Sequence, residues 1–139
     1  MQFLTLPLLA ALATASPVMM RRAVDITTSN TNTSVWSVSN FDVGCSPAAC
    51  EYNFVVARPA GPNNPGFNTT CTGNDLDKEY QACADKSVTA KMIPREYPLW
   101  EIDVKHSFED SNKAAVNAFA NGTTADSTTF TVTVYKTDV

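Results

Sequence analysis

The chain has 139 residues with ten basic and fourteen acidic side chains, a net charge of −4. Setting Arg21 and Arg22 aside with the leader described below gives −6, an acidic balance that excludes the basic footprint a nucleic-acid or anionic-membrane partner demands. The length suits a single domain with one core, and past the leader no apolar run reaches spanning length.

Residues 1–12 (MQFLTLPLLAAL) form an apolar run too short to span a bilayer, and Ala13-Thr14-Ala15 follows with the small-x-small pattern of a cleavage site. The reading is a secretory signal peptide over residues 1–15. Residues 16–22 (SPVMMRR) end on two arginines, the mark of a pro-segment removed by dibasic processing, so the mature chain is expected to begin near Ala23. Residues 23–34 are polar and rich in Thr and Asn, a flexible arm or a wet edge strand.

From Val35 the hydrophobic period becomes two, and residues 35–139 read as one domain. Trp36 and Val38 alternate with serines, then Phe41 and Val43 resume after a one-residue slip at Asn40, which predicts a β-bulge. Residues 44–49 (GCSPAA) make a turn, and residues 50–57 return with Tyr52, Phe54 and Val56 on one face. Residues 58–66 (RPAGPNNPG) hold three prolines and two glycines and are irregular. A short strand over 67–73 leads into the acidic loop 74–79 (NDLDKE). Residues 87–93 alternate again, and Pro94 and Pro98 bracket an irregular corner containing Tyr97. Residues 99–106 put Trp100, Ile102 and Val104 on one face and Glu101, Asp103 and Lys105 on the other, the pattern of a half-buried strand. Residues 113–120 (KAAVNAFA) fit neither period well, with strand favoured by the neighbours. Residues 128–135 (TTFTVTVY) alternate Phe130, Val132 and Val134 against threonines. Seven or so strands without a convincing helix predict an all-β fold, a compact antiparallel β-barrel or sandwich.

The four cysteines, Cys45, Cys50, Cys71 and Cys83, lie in the mature part, and an even count in an exported chain reads as two disulfides. Three connectivities are open; the short loops favour Cys45–Cys50 and Cys71–Cys83, the first across the mouth of a hairpin. The spacings C-x4-C and C-x11-C lack a paired knuckle and only one histidine is present, so no metal or other cofactor is expected. Carboxylates at Asp75, Asp77 and Glu79 invite a calcium reading, but Tyr80 stands where an EF-hand loop needs glycine. Sequons at Asn32, Asn68 and Asn121 are candidate N-glycan sites, Asn121 first because Asn-Gly marks an exposed turn.

Groups fit for catalysis are sparse. His106 shares the parity of Trp100, Ile102 and Val104 and reads as a partly buried residue at a strand end, with no Gly-x-Ser-x-Gly elbow to partner it. Glu101 and Asp103, beside Lys105, read as a solvated charged face rather than an acid/base pair. The expectation is a non-enzymatic binding or recognition module, with loop residues Asn63, Asn64, Asp75, Asp77, Glu79 and Tyr97 as candidate partner contacts.

The residues Trp36-Ser37-Val38-Ser39-Asn40-Phe41, Tyr52-Asn53-Phe54, Phe67-Asn68-Thr69-Thr70-Cys71 and Tyr80-Gln81-Ala82-Cys83 resemble the secreted fungal family of the Alternaria major allergen and its hypersensitive-response-inducing relatives, over Val35 to Tyr135. The resemblance implies a secreted antiparallel barrel that acts as an allergen, an elicitor of plant immunity or a virulence effector. It also implies a host plant protein, a defence protein or a cell-surface receptor, as partner. It supports local pairing of Cys71 with Cys83. The allergen dimerises through an additional N-terminal cysteine that is missing here, so a monomer without a covalent dimer is expected. Two other function classes compete with that reading: a carrier of a small apolar ligand inside the barrel, and a secreted enzyme or enzyme inhibitor. Large inward residues (Trp36, Phe54, Trp100, Phe130) weigh against an empty interior.

Overall fold

The computed structural model describes residues 34–139; the expected signal peptide, pro-segment and nearly all of the polar arm, with Asn32, lie outside the described residues. Eight strands follow one another: β1 (Val35–Cys45), β2 (Cys50–Arg58), β3 (Phe67–Asn74), β4 (Gln81–Ala82), β5 (Val88–Pro94), β6 (Trp100–Glu109), β7 (Ala115–Thr124) and β8 (Phe130–Asp138). They form one antiparallel sheet in the order β3-β2-β1-β8-β7-β6-β5-β4, curled into a nearly closed barrel rather than a sandwich.

The slip at Asn40 is a bulge. The β1–β2 register shifts between Ser39 and Asp42, and Asn40 adopts a left-handed φ of 54°. An extra residue there keeps Trp36, Val38 and Phe41 all pointing inward, where each is buried. Phe54, Val56, Val88, Met92, Ile102, Val104 and Val132 join them, so the interior is filled by side chains. The stretch that fitted neither period is β7. Its alanines are not helix formers here but small inward residues: Ala118 and Ala120 are buried opposite large neighbours, while Phe119 points outward. Gly122 continues that small stripe, since a Cβ there would meet the Thr131 carbonyl oxygen at 2.5 Å. Asn121-Gly122 is therefore the middle of a strand and not the exposed turn that its sequence suggests.

Two disulfides brace the structure. Cys45–Cys50 is the last rung of the β1–β2 ladder, at the mouth of the hairpin as expected. Cys71–Cys83 does something the pairing alone does not reveal: it ties β3 to the segment between β4 and β5, across the seam where the sheet's two edges meet. The Ala84 N–H donates to the Thr70 carbonyl at 2.9 Å and the Asp85 N–H to the Thr69 hydroxyl at 2.8 Å along the same seam. The two-residue β4 was too short to show any periodicity, and it accounts for the eighth strand.

Candidate functional site

An up-and-down meander sends alternate connections to opposite ends of the barrel. The connections 46–49, 75–80, 95–99 and 125–129 share one end. There an apolar groove of about 600 Å³ opens between the outgoing half of β1, the β5–β6 corner and the β7–β8 turn, lined by Phe41, Pro94, Tyr97, Leu99 and Trp100 among others. The corner is pinned by the Arg95 N–H donating to the Leu99 carbonyl and the Leu99 N–H to Glu96, each at 2.9 Å, and it turns through a cis Tyr97–Pro98 peptide. Tyr97 is 94% exposed and Leu99 41%. The carboxylates of Asp42 and Asp126 line the groove without an ion-pair partner among the described residues, while its one cation, Arg95, is held by Glu101. A bare aromatic beside an apolar recess, with a few polar groups at its edge, is chemistry suited to binding.

The contact residues singled out from sequence do not form one site. Tyr97 lines the groove. Asp75, Asp77 and Glu79 sit at the same end but none lines it, and Asp75 is committed to structure, its Oδ1 accepting the Cys50 N–H at 3.0 Å. Asn63 and Asn64 lie at the opposite end. Asn63 Oδ1 accepts the Ser111 hydroxyl at 2.6 Å, and Asn64 Oδ1 accepts the Gly66 N–H at 2.9 Å, where Gly66 takes the left-handed φ of 72° that glycine tolerates. Of the sequons, Asn68 is exposed on β3 and Asn121 half-buried within β7. What sequence reasoning missed is the company Tyr97 keeps: Phe41, Asp42, Trp100 and Asp126 come from three other strands and turns, and only the meander brings them together.

His106 is fully buried rather than partly, near the other end of the barrel. Its ring lies 4.5 Å from Phe67 and 4.7 Å from Phe108, and Nδ1 is 3.3 Å from Nη1 of Arg58, whose guanidinium lies 5.3 Å from the Trp36 and Phe108 ring centres. Burial, with the Arg58 charge adding to it, pushes the imidazole pKa down to about 4. The histidine therefore stays neutral and accepts from Arg58, and its Nε2 has no partner among the described residues. Among the described residues no carboxylate hydrogen-bonds to it, and Asp85 acts on it only through its charge; the arrangement is a packed cation–aromatic cluster.

Glu101 and Asp103 require a correction. They are not a solvated face: Asp103 is 6% exposed although it points away from the core. Tyr80, in the connection after β3, lies beside it and hydrogen-bonds to Tyr135, an extra residue bulged out of β8 where its register with β7 shifts. Burial raises the Asp103 pKa to about 7, and its bond to Glu101 reinforces the shift. Glu101 is held below its ordinary value by accepting from Asp103 and from Arg95. The pair thus shares one proton at mildly acidic pH, and Asp103 Oδ1 is left without a partner among the described residues.

No protein-family model, curated protein or solved structure matches this chain. Fold and site define a small, nearly closed all-β barrel with two disulfides, one of them across its seam, and a bare aromatic groove at one end. Within the described residues no helix is long and apolar enough to cross a membrane, and no cluster of three metal-binding side chains occurs.

Proposed function

We propose that the protein is a secreted fungal effector or elicitor that acts without catalysis, through recognition of its groove by a host plant protein. The observation that carries this reading is Tyr97, 94% exposed on the rim of an apolar groove of about 600 Å³ while the barrel interior is filled. An aromatic residue left in water beside a recess is a typical anchor for a partner surface. Two disulfides in so small a domain are compatible with an extracellular setting, and the family resemblance supplies the host. The buried surroundings of His106 add weight, since its hydrogen-bond partner is the Arg58 cation rather than a carboxylate and its ring is closed off from a substrate.

A second reading rests on the same groove, whose volume also suits a small apolar ligand. Infiltrating leaves with wild-type protein, Tyr97→Ser, Leu99→Ser and His106→Phe at equal dose separates the classes. Recognition by a partner predicts that the groove variants lose the response while the folded histidine variant keeps it. Full activity of the groove variants, or loss in the histidine variant alone with unchanged circular dichroism, would refute the proposal. A response that depends on extracting a small apolar molecule from the wild-type protein would favour the carrier.

A further inference from the structure

The outer face of the barrel carries a second feature, independent of the groove. Strand register lines up Thr89 on β5, Lys105 on β6, Phe119 on β7 and Lys136 on β8 as successive cross-strand neighbours. The ammonium groups of Lys105 and Lys136 lie 5.8 and 5.0 Å from the Phe119 ring centre, and those of Lys91 and Lys105 lie 4.7 and 5.3 Å from that of Tyr80. Those two rings are themselves 6.3 Å apart, and Tyr135, 54% exposed, stands 6.4 Å from Phe119. Three like charges therefore converge on two neighbouring rings in a protein whose net charge is −4.

Carboxylates offset them only in part. Among the described residues Lys91 and Lys105 have no ion-pair partner, and Lys136 meets only the exposed Asp138, at 3.5 Å. Lys91 is near enough to Glu101 and Asp103 for its charge to lower both carboxyl pKa values, but Glu101 is shared with Arg95 and Asp103 is buried, so neither forms an ion pair with it. Ring faces give the ammonium groups a partial counter-charge, which an anion would replace with a full one.

We propose that this lysine–aromatic row binds an acidic oligosaccharide, a short chain of uronate sugars. Each pyranose ring presents a face of C–H groups that packs on an aromatic ring, and each uronate adds one carboxylate. A sugar unit advances along its chain by roughly the spacing between neighbouring strands, about 4.8 Å. A chain laid across the strands therefore meets Lys105, Phe119 and Lys136 in turn, with carboxylates two units apart falling on the two lysines. A nucleic acid is the poorer occupant: its closely spaced phosphates need a broad basic footprint, and this one is three lysines wide on an acidic protein.

The test is calorimetric titration of the disulfide-intact protein with trigalacturonate, galactotriose and oligothymidylate as separate probes, repeated on Lys105→Gln, Lys136→Gln and Phe119→Leu. The expected result is binding of trigalacturonate that weakens with salt and falls about tenfold or more in each lysine variant, the effect of one lost charge-assisted bond. Phe119→Leu, which keeps apolar bulk but loses the flat ring, should weaken it as well, and galactotriose should not bind. Thermal unfolding of each variant separates a lost site from a lost fold. Equal binding of the neutral and charged trisaccharides, wild-type affinity in folded lysine variants, or no binding of trigalacturonate overturns the proposal. Oligothymidylate bound at these residues in preference to trigalacturonate overturns it in favour of a nucleic-acid platform.

Discussion

Replacing Asp103 by asparagine should make the protein more stable at pH 8 and leave it unchanged near pH 4. The carboxyl sits near Tyr80, beside Glu101 and Lys105 on β6, opposite Lys91 on β5 and Asn121 on β7. Its folded pKa of about 7 lies above the ordinary carboxylate value, so the folded state binds more protons than the unfolded chain between these limits. The stability this contributes is complete below about pH 4 and is lost as pH rises through 7. A shift of about three units at 1.36 kcal/mol each bounds the loss at about 4 kcal/mol, and the lowered pKa of Glu101 returns part of it. The net effect is therefore smaller than that bound. Asparagine keeps the shape and can donate to Glu101 without titrating. Wild-type protein alone would hide the effect. His106, held near pKa 4, contributes stability that is lost as pH falls below about 6.5, so the two slopes oppose each other over the same window. The informative quantity is the difference between variant and wild type, from urea unfolding under non-reducing conditions at several pH values. If that difference is the same at pH 4.5 and pH 8, the buried protonated carboxyl is wrong.

Substituting His106 with phenylalanine should expose the opposite slope, stability falling steadily from pH 4.5 to 7, as thermal melts in a pH series would show. Breaking Cys71–Cys83 should cost about 3 kcal/mol against about 2 for Cys45–Cys50 in the loop-entropy model. Because the first staples the barrel seam, hydrogen exchange should rise along β3 and β5 in the Cys71→Ser/Cys83→Ser double variant. Gly122→Ala pushes a methyl group into the backbone of β8 and should destabilise by about 1–3 kcal/mol in denaturant unfolding. Tyr97→Ser should leave the melting temperature in place while weakening partner capture tenfold or more, measured by surface plasmon resonance once a partner is in hand.

Much of the barrel was legible because its strands are half-buried, and alternation records that directly. Trp36 and Val38, then Phe41 after the slip at Asn40, located the bulge as well as the inner face. Where alternation is absent or ambiguous the reading thinned. β4 spans two residues, and in β7 the inward alanines are chosen for smallness, a property set by Trp36, Phe54 and Met92 on other strands. Asp103 exposes the deeper limit of the period-two argument. It assigns every second residue to solvent, and it cannot register that a tyrosine more than twenty positions earlier will lie beside that one. Of the groove, Tyr97 between Pro94 and Pro98 was visible, whereas Asp42, Trp100 and Asp126 carry no local mark of meeting there.

Net charge misleads in the same way, since it averages over surfaces that a partner meets one at a time. At −4 the chain excludes a long polyanion, and that inference stands for a duplex that would lie along the whole molecule. Yet the meander collects unpaired carboxylates, Asp42 and Asp126, at the groove and gathers Lys91, Lys105 and Lys136 on the face of β5 to β8. The two surfaces have opposite sign and different reach, so salt should weaken ligands at both while charge reversal separates them. Asp126→Lys should impair only a cationic partner at the groove, and Lys105→Glu only an anionic one on the sheet face. A ligand that responds equally to both changes would be reading the protein's overall charge, and neither surface would then be a site.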